Sequence, residues 1–180
     1  MSKTKKIVLA ALFLAIGLLL PFVTGQIPTI GKMLSPMHIP VILAGFILGP
    51  AYGAAIGFIC PLLRAVVFPP VPHLFPDAVG MAFELMTYGF VSGAVFRALK
   101  KKKGNRLLRI YITLIITMLA GRIVWGIVRY IIALLFNLEF PFSVFLSGAF
   151  LMAWPGIIVH LILIPAILEA LYRSKLVKEE

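Results

Sequence analysis

The chain has 180 residues, of which 62% are hydrophobic and only 13% charged, with a mean hydropathy of +1.09. Soluble domains run nearer half apolar and a quarter charged, so a water-soluble fold is excluded and lipid is the natural solvent for the excess. The net charge of +11 points away from nucleic acid by its placement, because the lysines and arginines flank apolar runs and lack the interleaved aromatics of a base-stacking surface.

Six apolar stretches follow one another, which predicts an all-α integral membrane bundle of about six transmembrane helices in a single domain, residues 1–180. The first stretch, about Ile7–Val23, is preceded by Lys3, Lys5 and Lys6. It is read as a retained helix rather than a cleaved signal, since PFVTGQIP has no small-x-small cleavage site. Within its AALFLA segment, Ala11 and Ala15 lie one turn apart and permit close approach of another helix. Loop 24–37 carries Gln26, Thr29 and Lys32.

The second stretch, His38–Leu48, is short: eleven helical residues reach about 17 Å, against a hydrocarbon core of ~30 Å. Pro36, Pro40 and Pro50 bracket or interrupt it. Irregular backbone cannot face lipid, so this segment is expected either to be enclosed by protein or to form a re-entrant hairpin with the third. The third stretch, Ala51–Phe68, holds Arg64 and the single cysteine, Cys60, which is read as a small core residue. Gly45, Gly49, Gly53 and Gly57 recur every four residues, and Gly89 and Gly93 repeat the spacing in the fourth stretch, Asp77–Leu99. These faces are expected to pack the second, third and fourth segments against one another within the chain.

The fifth stretch, Leu107–Phe136, contains Arg122, Trp125 and Arg129; Asn137 and Glu139 follow it. The sixth, Phe142–Tyr172, contains Trp154, an interface anchor, and His160, a packing histidine, and leads into Arg173, Lys175 and Lys178.

Orientation follows from the basic residues. With the N-terminus inside, thirteen of the seventeen Lys and Arg fall on inner segments, Lys32 alone on an outer loop, and Arg64, Arg122 and Arg129 within apolar runs. Both termini are therefore expected in the cytoplasm. No Gly-x-x-x-x-Gly-Lys-Ser/Thr phosphate loop, His-Glu-x-x-His pair or doubled glutamate occurs. No catalytic residue, metal ligand or cofactor is assigned, and the chain is not expected to be an enzyme.

The sequence resembles the substrate-specific S components of energy-coupling factor (ECF) transporters over nearly its whole length. The resemblance rests on the basic N-terminus, the Ala11/Ala15 face, MHIPVILAGFILGPAYGAAIGFICPLLR at 37–64, FELMTYGFVSG at 83–93 and PGIIVHLILIPAI at 155–167. It implies a multi-pass protein of the bacterial cell membrane that captures a vitamin from outside. It also implies partners, a transmembrane coupling protein and two ABC-type ATPases, with Ala11 and Ala15 docking on the coupling protein. The segments 37–64 and 83–93 look most like the pantothenate branch; folate, riboflavin and queuosine precursors stay open. Two alternatives also stay open: a non-transporting sensor or assembly module, and a solo proton-driven carrier.

Charges inside a membrane are costly and mark functional candidates. Arg64, Arg122, Arg129, Asp77 and Glu84 all fall in the outer half or near the midplane of this topology. Arg–carboxylate bridges bracing the bundle are one reading. The other follows from three cations facing two anions, which leaves one guanidinium for a substrate carboxylate or phosphate. The candidate substrate-binding residues are Arg129 first, then Arg122, Arg64, Glu84, Trp125, which could stack on a ring, and Asn137.

Overall fold

The computed structural model describes residues 1–24, 33–68, 72–100 and 105–174. Its helices are α1 (Lys3–Leu19), α2 (His38–Leu48), α3 (Pro50–Val67), α4 (Val79–Lys100), α5 (Arg106–Phe136), α6 (Phe142–Leu146) and α7 (Trp154–Arg173). A 3-10 turn, Leu20–Thr24, extends α1, and wide turns at Leu74–Ala78 and Ser147–Leu151 precede α4 and α7. Gln26, Thr29, Lys32, Lys101, Lys102, Lys103, Lys175 and Lys178 lie outside the described residues.

Local chemistry sets the helix ends. The Ser2 side chain accepts from the Lys5 amide at 3.3 Å and opens α1; Asn105 does the same for Leu107 at 2.9 Å and opens α5. Asn137 closes α5 in the left-handed conformation at φ 52°. Between α2 and α3 the chain reverses at Gly49, whose φ of +100° suits only glycine, and Pro50 starts the next helix, where its missing N–H costs nothing.

Five helical segments among the described residues are long and apolar enough to cross a membrane: Lys3–Val23, Pro50–Val67, Leu74–Lys100, Arg106–Phe136 and Phe142–Arg173. The chain is thus a multi-pass membrane protein. The segment α2 is too short to span, and ten of its eleven residues are buried. Its enclosure is what lets so short a helix sit at membrane depth. The sixth apolar stretch differs from a single helix over 142–172: it breaks at the Ser147–Leu151 turn and at Met152–Ala153 before α7 resumes. Pro155, in the first turn of α7, lacks the N–H that a helix running through from α6 would need.

Burial differs from that of a soluble bundle in the apolar surface left outside. Along α5, Ile112, Ile115, Leu119, Ile123, Ile127 and Leu134 are exposed, while Ile110, Thr113, Leu114, Thr117, Gly121, Gly126, Ile132 and Ala133 are buried. Lipid permits that pattern, because apolar side chains can face the acyl chains and buried small residues let backbones approach. The closest approach is between α3 and α4: a Cβ on Gly53 would strike the Gly89 carbonyl, and one on Gly89 would strike Gly53. The hydroxyl of Ser92 on α4 donates to the Ile42 carbonyl of α2 at 3.2 Å. The glycine faces therefore pack α2, α3 and α4 together within the chain. Gly17 of α1 rests on the Cys60 thiol, 2.7 Å from where its Cβ would stand, which makes Cys60 a core contact.

The helices alternate in direction. At one end, Arg97 Nη2 donates to the Leu48 carbonyl at 3.2 Å, and Arg106 grips Glu169 through two bonds of 2.6 and 3.1 Å, with Arg173 joining at 3.2 Å. At the other end, Phe22 meets Phe68 at 5.2 Å and Phe75 meets Phe136 at 4.7 Å. Arg97, Arg106 and Arg173 thus gather at the first end, and Phe22, Phe68, Phe75 and Phe136 at the second.

Candidate functional site

Two ion pairs join α5 to α4 and to the Leu74–Ala78 turn that leads into it, like rungs. Arg129 Nη1 donates to Asp77 Oδ1 at 3.1 Å, and Arg122 Nη1 donates to Glu84 Oε1 at 2.9 Å. Asp77 and Glu84 are seven residues apart, as are Arg122 and Arg129, and the helices run antiparallel. Two turns separate the rungs, a rise of about 10.5 Å. Each arginine that the sequence placed inside the membrane on α5 thus meets one of the two carboxylates on the neighbouring element.

The deep rung is the centre of a buried polar cluster. Glu84 Oε1 also accepts the Tyr88 hydroxyl at 3.0 Å, one helical turn further along α4. His38 Nε2, at the start of α2, lies 3.6 Å from the same oxygen, just outside hydrogen-bond reach. The His38 ring stacks on His160 of α7 with centroids 5.7 Å apart, and His160 is hydrogen-bonded to the Ser35 backbone. Glu84, Tyr88, His38 and His160 are all buried, and the Arg122 side chain is 12% exposed. Gly121 makes room for the Tyr88 ring, which a Cβ there would strike. An ion pair in this setting holds only because additional hydrogen bonds satisfy its remaining lone pairs.

The outer rung is more open: the Arg129 side chain is 21% exposed and that of Asp77 37%. Aromatic rings surround it. Arg129 lies over Phe140, 5.7 Å from its centroid, and Trp125 packs edge-on to Phe140 at 5.8 Å and flat against Phe145 at 6.2 Å. Gly80 leaves space on α4 for Arg129, whose Cδ would stand 3.0 Å from a Cβ there. Asn137 is exposed and caps α5, and Glu139 is exposed in the segment that follows. Trp154 is 59% exposed at the start of α7.

Arg64 is held elsewhere. It is buried at the end of α3, its Nη1 donates to the Leu18 carbonyl at 2.7 Å, and its guanidinium lies 5.0 and 5.6 Å from the Phe22 and Phe68 centroids. Leu18 is in the last turn of α1, so Arg64 supplies a donor and a positive charge to orphaned carbonyls at a helix C-terminus. A groove of about 150 Å³ between α5 and α7 is lined by Ile115, Met118, Leu119, Arg122, Ile157 and Leu161 and reaches the deep rung.

The structure therefore brings together Asp77, Arg129 and Trp125 at one level and Glu84, Arg122 and His160 at the next, and sets Arg64 and Asn137 apart. Sequence reasoning missed His38 and Tyr88. The signal for Tyr88 is its spacing of four from Glu84, which puts both on one helix face. The signal for His38 is a polar ring opening a segment too short and too apolar to lie anywhere but inside protein.

The family profile described as ECF transporter, substrate-specific component, matches residues 5–168. The chain belongs to that family. Neither a curated protein nor a solved structure matches it. The two levels of polar residues between α4, α5 and α7 of this S component are a few placed polar groups in an otherwise apolar bundle. Ala11 and Ala15 of this S component are exposed on α1, on a face with Val8, Leu12 and Leu19 that no other described helix covers.

Proposed function

We propose that this S component captures an anionic water-soluble vitamin, pantothenate before others, from outside a bacterial cell for ATP-driven import. A separate transmembrane coupling protein and two ABC-type ATPases supply the energy, the chain itself catalyses no reaction, and both termini face the cytoplasm. Ala11 and Ala15 form the docking face for the coupling protein; their exposure on α1 supports that role.

The observation that carries the reading is the outer rung. Arg129 is bonded to Asp77 through Nη1 at 3.1 Å, and both side chains are partly exposed beside Trp125 and Phe140. A guanidinium offers five donors in a planar fork, so a ligand carboxylate can join or displace Asp77 without stripping a buried charge of its partner. Arg122 and Glu84 then form the floor of the site and Trp125 its wall, while Arg64, held at the α1–α3 end, and Asn137 lie apart from it.

Co-purification and uptake test this reading. Expressed with a coupling protein and two ATPases, the chain should co-purify with them, and labelled pantothenate should enter cells only when the ATPases are active. Uptake that persists without the ATPases would identify a solo carrier. Ligand binding with no coupling partner would identify a sensor.

A further inference from the structure

The deep cluster carries polar atoms that the ion pair does not use. Among the described residues of this cluster, His160 Nε2, both ring nitrogens of His38 and Arg122 Nε are buried with no hydrogen-bond partner. Buried polar groups are paired in the great majority of cases, so four such atoms near one carboxylate mark a place where a ligand's polar group belongs.

Their chemistry specifies that group. The bond from His160 to the Ser35 backbone occupies its other ring nitrogen, so Nε2 presents a lone pair. Both nitrogens of the His38 ring are open, with Nε2 3.6 Å from Glu84, so the imidazole offers one donor and one acceptor. Arg122 Nε–H is a donor. The charge of Arg122 is already met by Glu84 at 2.9 Å, so a second carboxylate at this level would face the first. Two acceptors and two donors with no net charge fit a hydroxyl or an amide, which can give and receive at once.

We propose that His38 and His160, with Arg122 Nε, form a neutral hydrogen-bonding subsite that takes a hydroxyl or amide group of the substrate, about 10 Å from its carboxylate at Arg129. The carboxylate end rests on the reading of the outer rung given above; the hydroxyl end rests on the deep cluster alone. The distance is the two-turn rise between Arg129 and Arg122. The substrate class is an extended hydroxy or amido carboxylic acid whose polar ends stand about 10 Å apart. Extended pantothenate, with hydroxyls toward one end and a carboxylate at the other, belongs to that class.

The test titrates the purified full-length protein in lipid nanodiscs with three probes: pantothenate, panthenol, in which an alcohol replaces the carboxylate, and a pantothenate analogue lacking its hydroxyls. The wild-type chain should bind pantothenate about 10- to 100-fold more tightly than the dehydroxylated analogue, the range for one or two lost buried hydrogen bonds. His160→Phe, which keeps a ring and removes its nitrogens, should weaken pantothenate and panthenol by the same factor, and His160→Gln should restore part of the loss. Arg129→Gln should weaken pantothenate far more than panthenol. If Arg129→Gln changes nothing while His160→Phe acts on both probes, the outer anion site fails and the deep subsite stands. Equal affinity of the wild-type chain for pantothenate and its dehydroxylated analogue overturns the subsite, and that comparison needs no variant to fold. Failure of the wild-type chain to bind either pantothenate or panthenol overturns it as well.

Discussion

Replacing Glu84 with Gln tests whether the deep rung organises the bundle. The carboxylate receives Arg122 at 2.9 Å and Tyr88 at 3.0 Å, with His38 3.6 Å away, and its own side chain is 3% exposed. Gln keeps the size and one acceptor oxygen but leaves the Arg122 charge without a counterion. Removing one partner of a buried pair costs about 3–5 kcal/mol. Asp77→Asn is the internal control: that rung is 21% and 37% exposed, and pairs of that kind contribute about 0–1 kcal/mol. On the scale of soluble domains of this length, Glu84→Gln should lower the unfolding midpoint by roughly 6–20 °C, and Asp77→Asn by no more than about 4 °C. The assay is thermal unfolding of the detergent-purified protein followed by size-exclusion recovery. The Glu84→Gln/Arg122→Gln double variant should be less destabilised than the sum of its parts, because the second change removes the stranded charge. Equal losses at Glu84 and Asp77, or a strictly additive cycle, would refute the account of a buried, mutually dependent pair.

Three further outcomes are expected. Among Arg→Gln variants at positions 64, 122 and 129, Arg129→Gln should weaken binding of an anionic vitamin about ten- to a hundredfold by titration while the fold survives, as for a lost charge-assisted hydrogen bond of ~1.5–3 kcal/mol; unchanged affinity in all three well-folded variants would rule out the anion site. Ala11→Trp with Ala15→Trp should abolish uptake and leave ligand binding intact, because the change blocks a docking face rather than the site; uptake at the wild-type rate would remove the docking assignment. A reporter fused after Glu180 should read as cytoplasmic, since the basic residues gather on that side; an extracellular signal would overturn the orientation.

Much of the fold is legible in the sequence because lipid imposes simple rules. Apolar length marks the helices, and the bounds of α2 and α5 fall within a residue of those read from the pattern. The four-residue glycine spacing marks the α2–α3–α4 contact, since only small residues let two backbones approach so closely. The break before α7 is harder to read: its flanks are as apolar as the helices they separate, and Pro155 is also acceptable in a first turn.

The site is less legible, because pairing is a tertiary fact. The seven-residue spacings of Asp77 and Glu84 and of Arg122 and Arg129 show that each pair shares a helix face. They do not show that the two faces meet rung for rung. Arg64 looks like a third cation of the same set, yet it reaches the Leu18 carbonyl across 46 positions of sequence. Nothing local to Arg64 signals that helix end. The same holds for His38, whose partners Glu84, Tyr88 and His160 come from two other helices.

The most direct test of the central claim is to identify by mass spectrometry the small molecules retained by the full-length protein purified from rich medium, beside the Arg129→Gln variant. The account predicts that the wild-type chain retains a vitamin-like carboxylic or phosphoric acid, and that the variant retains about a tenth of it or less. A neutral or cationic molecule on the wild-type chain, or an acid held equally by both, would contradict it.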